Sequence, residues 1–254
     1  MINDNPLVRR FGIFTALSAN DEAQLTALAV HPLEKTARRD LIREGERPRV
    51  VYLILSGWAC RYKVLEDGRR QLLQFLLPGD LCDVYNSVLS EMDHSIGAVT
   101  DIRYAEIPHD RLDSIARDYP HLRRALWWHS MTAISIQREW TVNIGQRSAY
   151  ERISHLFCEL FLRLRAVGLV DGHSCDMPAT QTDIGDATGL TSVHVNRTIQ
   201  ELRETGLIVL KNKRLTIPDL AALKDSALFS DNYLHLARPD PDRLARPSDV
   251  SWAV

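Results

Sequence analysis

GLTSVHVNRTIQELRETGLI, residues 189–208, is the stretch from which the fold is read. Val195, Ile199, Leu202 and Leu207 recur at helical spacing and make one side of it apolar. Ser192, Val193, Asn196, Arg197 and Gln200 fall on the opposite side. A face turned only to water has no need of a valine beside an arginine, so the pattern points to a surface that meets something. Upstream, TDIGDA at 182–187 is helical, with Thr180 or Thr182 as its N-cap. Gly189 supplies a tight turn between the two helices, because glycine adopts positive φ without a steric penalty. Downstream, LIVLKNKRLTIP at 207–218 reads as two short strands around Lys211, Asn212 and Lys213, a hairpin with a basic tip.

Helix, glycine turn, helix and hairpin is the layout of a winged helix-turn-helix. Val195, Ile199 and Leu202 would anchor its second helix, Ile184 and Ala187 would meet it across the turn, and Leu190 would close the corner. The outward face is then free to enter a major groove. Arg197 suits a guanine edge, Val193 a thymine methyl, and Asn196 and Gln200 adenine. Thr191, Ser192 and His194 lie near the positive end of the helix and suit phosphate. Thr180 and Gln181 at the start of the first helix join the candidate DNA-binding set. Lys211, Lys213 and Arg214 in the wing add attraction independent of base sequence. The competing reading is a small-molecule binding module whose winged helix contacts another protein. Steeply salt-dependent binding to duplex DNA separates the two.

Bulk properties narrow the classes further. A chain of 254 residues with 45% hydrophobic and 25% charged residues has the make-up of a globular protein of one large or two medium domains. The net charge of -2 means that any basic face is local. Cys60, Cys82, Cys158 and Cys175 are widely spaced, which argues against a disulfide framework or a structural zinc site, and no metal site is expected. No signal peptide and no membrane-spanning run stand out, and a cytoplasmic location without a membrane partner is expected. No nucleophile–base pairing or phosphate-cradling glycine loop suggests an enzyme.

Between Leu33 and Pro108 short aliphatic and β-branched runs are punctuated by Gly45, Gly57, Gly68 and Gly79, the rhythm of an all-β roll or barrel. Asp67-Gly68 marks a hairpin. Ser18, Asn20 and Asp21 offer N-cap chemistry to a short entry helix. Beyond Pro108 the period becomes helical. Leu126, Ala133 and Trp140 interleave with His129, Ile136 and Asn143 as a and d positions of a short heptad, and this seam is expected to pack against a second copy of the chain, with Asn143 setting register. Residues 146–148 form a hinge, after which Ser148 caps a helix carrying Ile153, Leu156, Phe157, Leu160 and Leu164. The expected organisation is α+β: a β-roll sensor domain at 11–109, a dimerisation helix at 110–146, a winged helix-turn-helix at 147–224 and a disordered tail at 225–254.

This order of parts resembles the CRP/FNR family of bacterial transcription regulators over residues 11–223. The most specific pieces are EGERPRVVYLILSGWACRY, FLLPGDL and TQTDIGDATGLTSVHVNRTIQELRETGLI. The resemblance implies a cyclic-nucleotide-binding-like roll, a homodimer on twofold-symmetric operators, and RNA polymerase as a partner. It places Thr191 and His194 at phosphate-contacting positions, and Ser192, Val193 and Arg197 at base-reading ones. Only Arg197 keeps the family's common residue, so a different operator from that of the founding members is expected. In the roll, the ligand pocket would comprise Asp83, Val84, His94 and Ser95, with Gln137 and Arg138 reaching in from the long helix. His94 stands where the cyclic AMP receptors have a phosphate-binding arginine, and Val84 where they have a ribose-binding glutamate. Cyclic nucleotide binding is therefore not expected. Neither is an iron–sulfur cluster, since the closely spaced N-terminal cysteines of the FNR type are missing, and haem is not supported. The signal to which the roll responds is left open.

Overall fold

The computed structural model describes residues 5–237. Eight strands build the roll: β1 (Leu33–Lys35), β2 (Asp40–Ile42), β3 (Val50–Ser56), β4 (Ala59–Val64), β5 (Arg70–Leu76), β6 (Leu81–Cys82), β7 (Ser95–Ala98) and β8 (Ile102–Pro108). They form two antiparallel four-stranded sheets, in the orders β1-β8-β3-β6 and β2-β7-β4-β5. The run VVYLIL in β3, residues 50–55, is apolar without a break because both of its faces are covered. Tyr52 and Ile54 join the cluster inside the roll, while Val51 and Leu53 join the cluster of the helices packed outside it. The turn between β4 and β5 closes with Gly68 at φ +84°; Asp67 keeps a negative φ, so only one turn residue uses the left-handed region.

Two helices precede the roll, α1 (Pro6–Phe14) and α2 (Ala19–Ala27). The first was not legible in sequence. Ser18 caps the second through a reciprocal capping box with Asp21. After the roll, the single helix expected over 110–146 is two, α3 (His109–Asp118) and α4 (Pro120–Gln146). The break at Tyr119 has a local cause: the residue before a proline is pushed out of the α region, and Pro120 opens the next helix where its missing N–H costs nothing.

The heptad seam requires correction. Leu126, His129, Ile136, Trp140 and Asn143 are all 5% exposed or less within their own chain. Leu126 packs with Leu7 and Phe11 of α1, Ile136 and Trp140 join the cluster of Phe75 in β5, and Ala133 lines a cavity of the roll. The side of α4 turned to solvent carries Trp127, Met131, Ile134, Arg138 and Val142 instead. The helix has two apolar stripes, and period alone does not say which one the chain's own roll will cover.

A break separates α4 from the helix that follows. Arg147 is extended at φ -82°, ψ 146°, and Ser148 caps α5 (Ala149–Ala166) through a capping box with Glu151. Then come β9 (Val170–Asp171), β10 (Ser174–Asp176), α6 (Gln181–Thr188), α7 (Ser192–Glu204), β11 (Val209–Lys211), β12 (Arg214–Thr216) and α8 (Leu220–Ser226). The last four strands form a small sheet in the order β11-β12-β10-β9, so the wing rests on the β9–β10 hairpin. The chain does not become disordered at residue 225. Phe229, Tyr233 and Leu234 return over α5 and pack with its core, and Tyr233 stacks on the buried ring of His155. The rest of the expected tail, 238–254, lies outside the described residues.

Two bridges join the roll to the domain that follows. One is buried: Arg163 of α5 donates to Asp80 at 2.7 Å, to the Phe75 carbonyl at 2.9 Å and to Glu159 at 3.1 Å. The other lies nearer the surface. Arg38 grips both carboxylate oxygens of Asp183 in α6 at 2.7 and 2.9 Å, and Arg70 bridges Asp183 at 2.8 Å and Asp186 at 2.7 Å.

Candidate nucleic-acid interface

Local chemistry sets the angle between α6 and α7. Thr180 caps α6 and shares a capping box with Asp183, and Gly189 ends the helix at φ +69°. Gly185 lets the chain turn tightly: a Cβ there would stand 2.5 Å from the Leu190 carbonyl oxygen, while Leu190 N–H donates to the Gly185 carbonyl at 3.0 Å. Val195, Ile199 and Leu202 are buried beneath α7 with Ile184 and Ala187, as the sequence pattern requires. Thr191 caps α7 by accepting from the His194 N–H, and its own O–H is left to donate outward.

On the outer face Val193 is 78% exposed, and Thr191, Ser192, His194, Arg197 and Gln200 are exposed with it; Asn196 is half-buried. Thr180 and Gln181 are exposed at the start of α6, the helix end whose partial positive charge favours phosphate. Asn212 and Lys213 both take positive φ, making the two-residue turn that carries the wing tip, and Lys211 and Lys213 are exposed there. All the residues expected to face DNA, Asn196 in part, thus lie on the surfaces of α6, α7 and the wing. Arg214 is held at 3.3 Å from Asp171, so its charge is partly answered within the chain.

A cavity of about 410 Å³ lies between the roll and α4. Asp83, Val84, His94 and Gln137 line it, as expected. Ser95 is buried beside it, taking a hydrogen bond from Glu44 N–H, and Arg138 is exposed and contributes nothing to its wall. Sequence reasoning missed Arg61, Gln74 and Asn86, and had given His129 to a dimer seam. Arg61 carried a signal, since a charged residue in the buried half of the run ACRYKV calls for a polar interior.

The charges in the cavity answer one another. Arg61 donates to Gln74 and lies 3.2 Å from Asp83, and His94 sits between Asp83 at 3.2 Å and Asp93 at 2.8 Å. Burial works against ionising Asp83, but Arg61 and His94 outweigh it and hold the carboxyl well below the usual range. Burial likewise works against a charged His94, yet its two carboxylate partners win and raise its pKa. His129 has no such partner strong enough: burial lowers it to about 4, and its Nε2 meets the Leu81 backbone. Burial also pushes the Cys60, Cys158 and Cys175 thiols up to about 12. Among the described residues there is no cluster of three or more groups able to hold a metal ion, and no helix long and apolar enough to cross a membrane.

Comparison with known proteins gives this geometry its context. Residues 34–119 match the cyclic nucleotide-binding domain model, and residues 151–226 the Crp-like helix-turn-helix domain model. The chain is 32% identical over 175 residues to the nitrogen fixation regulation protein FixK of Bradyrhizobium diazoefficiens, covering 68% of this chain and 72% of that one. It is 27% identical over 195 residues to the transcriptional activator protein FnrL of Cereibacter sphaeroides, covering 75% of this chain and 78% of that one. The solved structure of FixK2 from Bradyrhizobium japonicum superposes with a TM-score of 0.69 at 22% identity, covering 79% of this chain and 98% of that one, a likeness of fold.

Proposed function

The chain belongs to the CRP/FNR family of transcription regulators, and on that premise we propose that it works as a cytoplasmic homodimer on twofold-symmetric operators, with RNA polymerase as its further partner. That it is a DNA-binding regulator of transcription and not an enzyme follows from its family. The observation that carries the proposal is the outer face of α7, where Val193, Arg197 and Gln200 stand exposed on a helix anchored from behind. Arg197 reads guanine in the major groove and Val193 meets a thymine methyl. Thr180, Gln181, Thr191, His194 and the wing lysines hold phosphates and fix register.

The homodimer rests on the solvent side of α4. Trp127, Met131, Ile134 and Val142 are 40–53% exposed, and with Arg138 they form a stripe at helical spacing that the chain itself covers only in part, Ile134 also reaching the cavity. A second copy of the same helix is the natural cover, since a twofold interface uses the same patch on both subunits.

The roll takes no cyclic nucleotide at physiological concentration in this proposal. A buried phosphodiester needs a free cation, and Arg61 and His94 are already committed to Asp83, Asp93 and Gln74. Val84 gives a ribose hydroxyl no acceptor.

Selection of duplexes from a random pool tests the DNA reading. The protein is expected to recover a palindrome whose half-sites lie about 34–36 Å apart, one helical turn. Binding should weaken steeply with salt. Failure to enrich any sequence, with affinity indifferent to salt, rejects it. Calorimetric titration with cyclic AMP and cyclic GMP tests the cavity, and a micromolar or tighter Kd for either overturns that part.

A further inference from the structure

The first helix of the helix-turn-helix has the wrong charge for its task. α6 reads QTDIGDAT, with two aspartates and no basic residue. Its phosphate-facing end, Thr180 and Gln181, is one hydrogen bond from Asp183, whose Oδ2 accepts from the Thr180 hydroxyl at 2.7 Å. Asp186 is five residues beyond Gln181, about 7.5 Å along the helix at 1.5 Å per residue. That is within the screening length of about 8 Å at physiological salt. Left alone, both carboxylates would repel the backbone that α6 must approach.

The counter-charges come from the roll. Arg38 and Arg70 donate to both oxygens of Asp183 and to Oδ2 of Asp186 through the bonds described above, and Asp183 is fully buried between them. The two arginines are themselves held in place. Arg38 sits in a left-handed conformation at φ +65° with its N–H on the Ala98 carbonyl at 2.8 Å. Arg70 lies over the ring of Tyr62 at 5.8 Å. Arg38 keeps 47% of its side chain exposed, and its partner Asp183 is also bonded to Thr180 at the α6 terminus.

We propose that Arg38 and Arg70 of the sensor roll are positioning residues for DNA binding: they neutralise Asp183 and Asp186, so that the helix-turn-helix binds DNA at full strength only while docked on its own roll. A change in the roll that withdraws the β1–β2 turn or the β4–β5 hairpin lowers DNA affinity by uncovering two negative charges at the interface. Regulation then needs no movement of α7 relative to α6. The inference rests on the DNA-binding reading and adds the sense of its control.

The test is a double-mutant cycle on the full-length protein, with the duplex that the wild-type protein recovers from a random pool as probe. Arg70→Ala is expected to weaken binding about tenfold near 0.15 M salt, one uncovered carboxylate per subunit acting across less than a screening length. The loss should shrink as salt rises. Asp186→Asn alone should bind at least as tightly as wild type, and Arg70→Ala with Asp186→Asn should recover to within about threefold. Arg70→Lys, which keeps the charge and loses the planar fork, should retain most of the affinity. A purely structural strap behaves otherwise: Asp186→Asn would weaken binding as much as Arg70→Ala, and the double variant would be no better. That result, or an Arg70→Ala variant that binds as wild type, overturns the proposal. Wild-type protein that recovers no duplex rejects instead the DNA-binding reading on which it stands.

Discussion

The carboxylate of Asp80, in the turn before β6, lies 2.7 Å from Nη2 of Arg163 in α5, with 5% and 1% of the two side chains exposed. Arg10 of α1 approaches the other oxygen of Asp80 at 3.5 Å, and Glu159, on the far side of Arg163, accepts from Trp140 Nε1 at 2.9 Å and Tyr233 Oη at 3.0 Å. One buried polar cluster therefore gathers the roll, α1, α4, α5 and the segment after α8. Asp80 is also three residues from Asp83 at the wall of the cavity, with Leu81 between them held by His129. Asp80→Asn is expected to cost about 3–5 kcal/mol, because it leaves buried guanidinium charge uncompensated. Urea denaturation of the full chain measures it. Asp171→Asn, at the exposed pair with Arg214, should cost under about 1 kcal/mol by the same measurement.

The two stripes of α4 make opposite predictions. Ile134→Asp, on the solvent side, should leave a folded chain that sediments as a monomer. Ile136→Asp, two residues away and 1% exposed, should unfold the protein, since an unpaired carboxylate in that core costs several kcal/mol. Circular dichroism with sedimentation separates the outcomes. A folded dimer of the Ile134→Asp protein would show that the partner lies on another face.

Within the DNA interface, Arg197→Ala is expected to cost about 1–3 kcal/mol on the selected duplex and to relax preference at one base position. Lys213→Ala should weaken binding evenly across sequences and reduce the salt slope by about 1 per lost phosphate contact. Competition titrations at several salt concentrations distinguish the two kinds of loss.

Acid and base act on different bridges. Burial alone would raise the Asp183 pKa, but the bonds from Arg38, Thr180 and Arg70 depress it well below 3.8. Its stabilising contribution is present above pH 3.8 and is lost as pH falls through the lower folded value. His94 has the opposite sign. Its folded pKa is raised, so its contribution is complete below pH 6.5 and fades as pH rises through the folded value. The stability difference between wild type and His94→Gln should accordingly be greatest below pH 6.5 and narrow above it, as read from denaturation at a series of pH values.

All four cysteines are buried, and burial raises each thiol pKa. A thiol reagent at pH 8 should find almost none of them in the native protein and all of them after denaturation, because the thiolate is the reactive form. Rapid labelling of native Cys82 would mean that the roll opens far more readily than its packing suggests.

Periodic and local features were legible in the sequence. The stripe Val195, Ile199, Leu202, the Gly189 turn and the caps at Thr180 and Ser148 each depend on neighbours within a few residues, and together they define the helix-turn-helix and its outer face. What His94 and Val84 can offer a phosphate or a ribose could likewise be read one position at a time. Other features required the tertiary structure. Two apolar stripes on α4 have the same period, and only the packing of α1 and β5 against Leu126 and Trp140 decides which becomes core. Arg61 meets Asp83 across 22 residues of sequence, and Arg38 meets Asp183 across 145. An ion pair between distant positions leaves no periodic trace in the chain, because charge complementarity has no preferred spacing; the fold must first bring the two side chains within hydrogen-bonding distance.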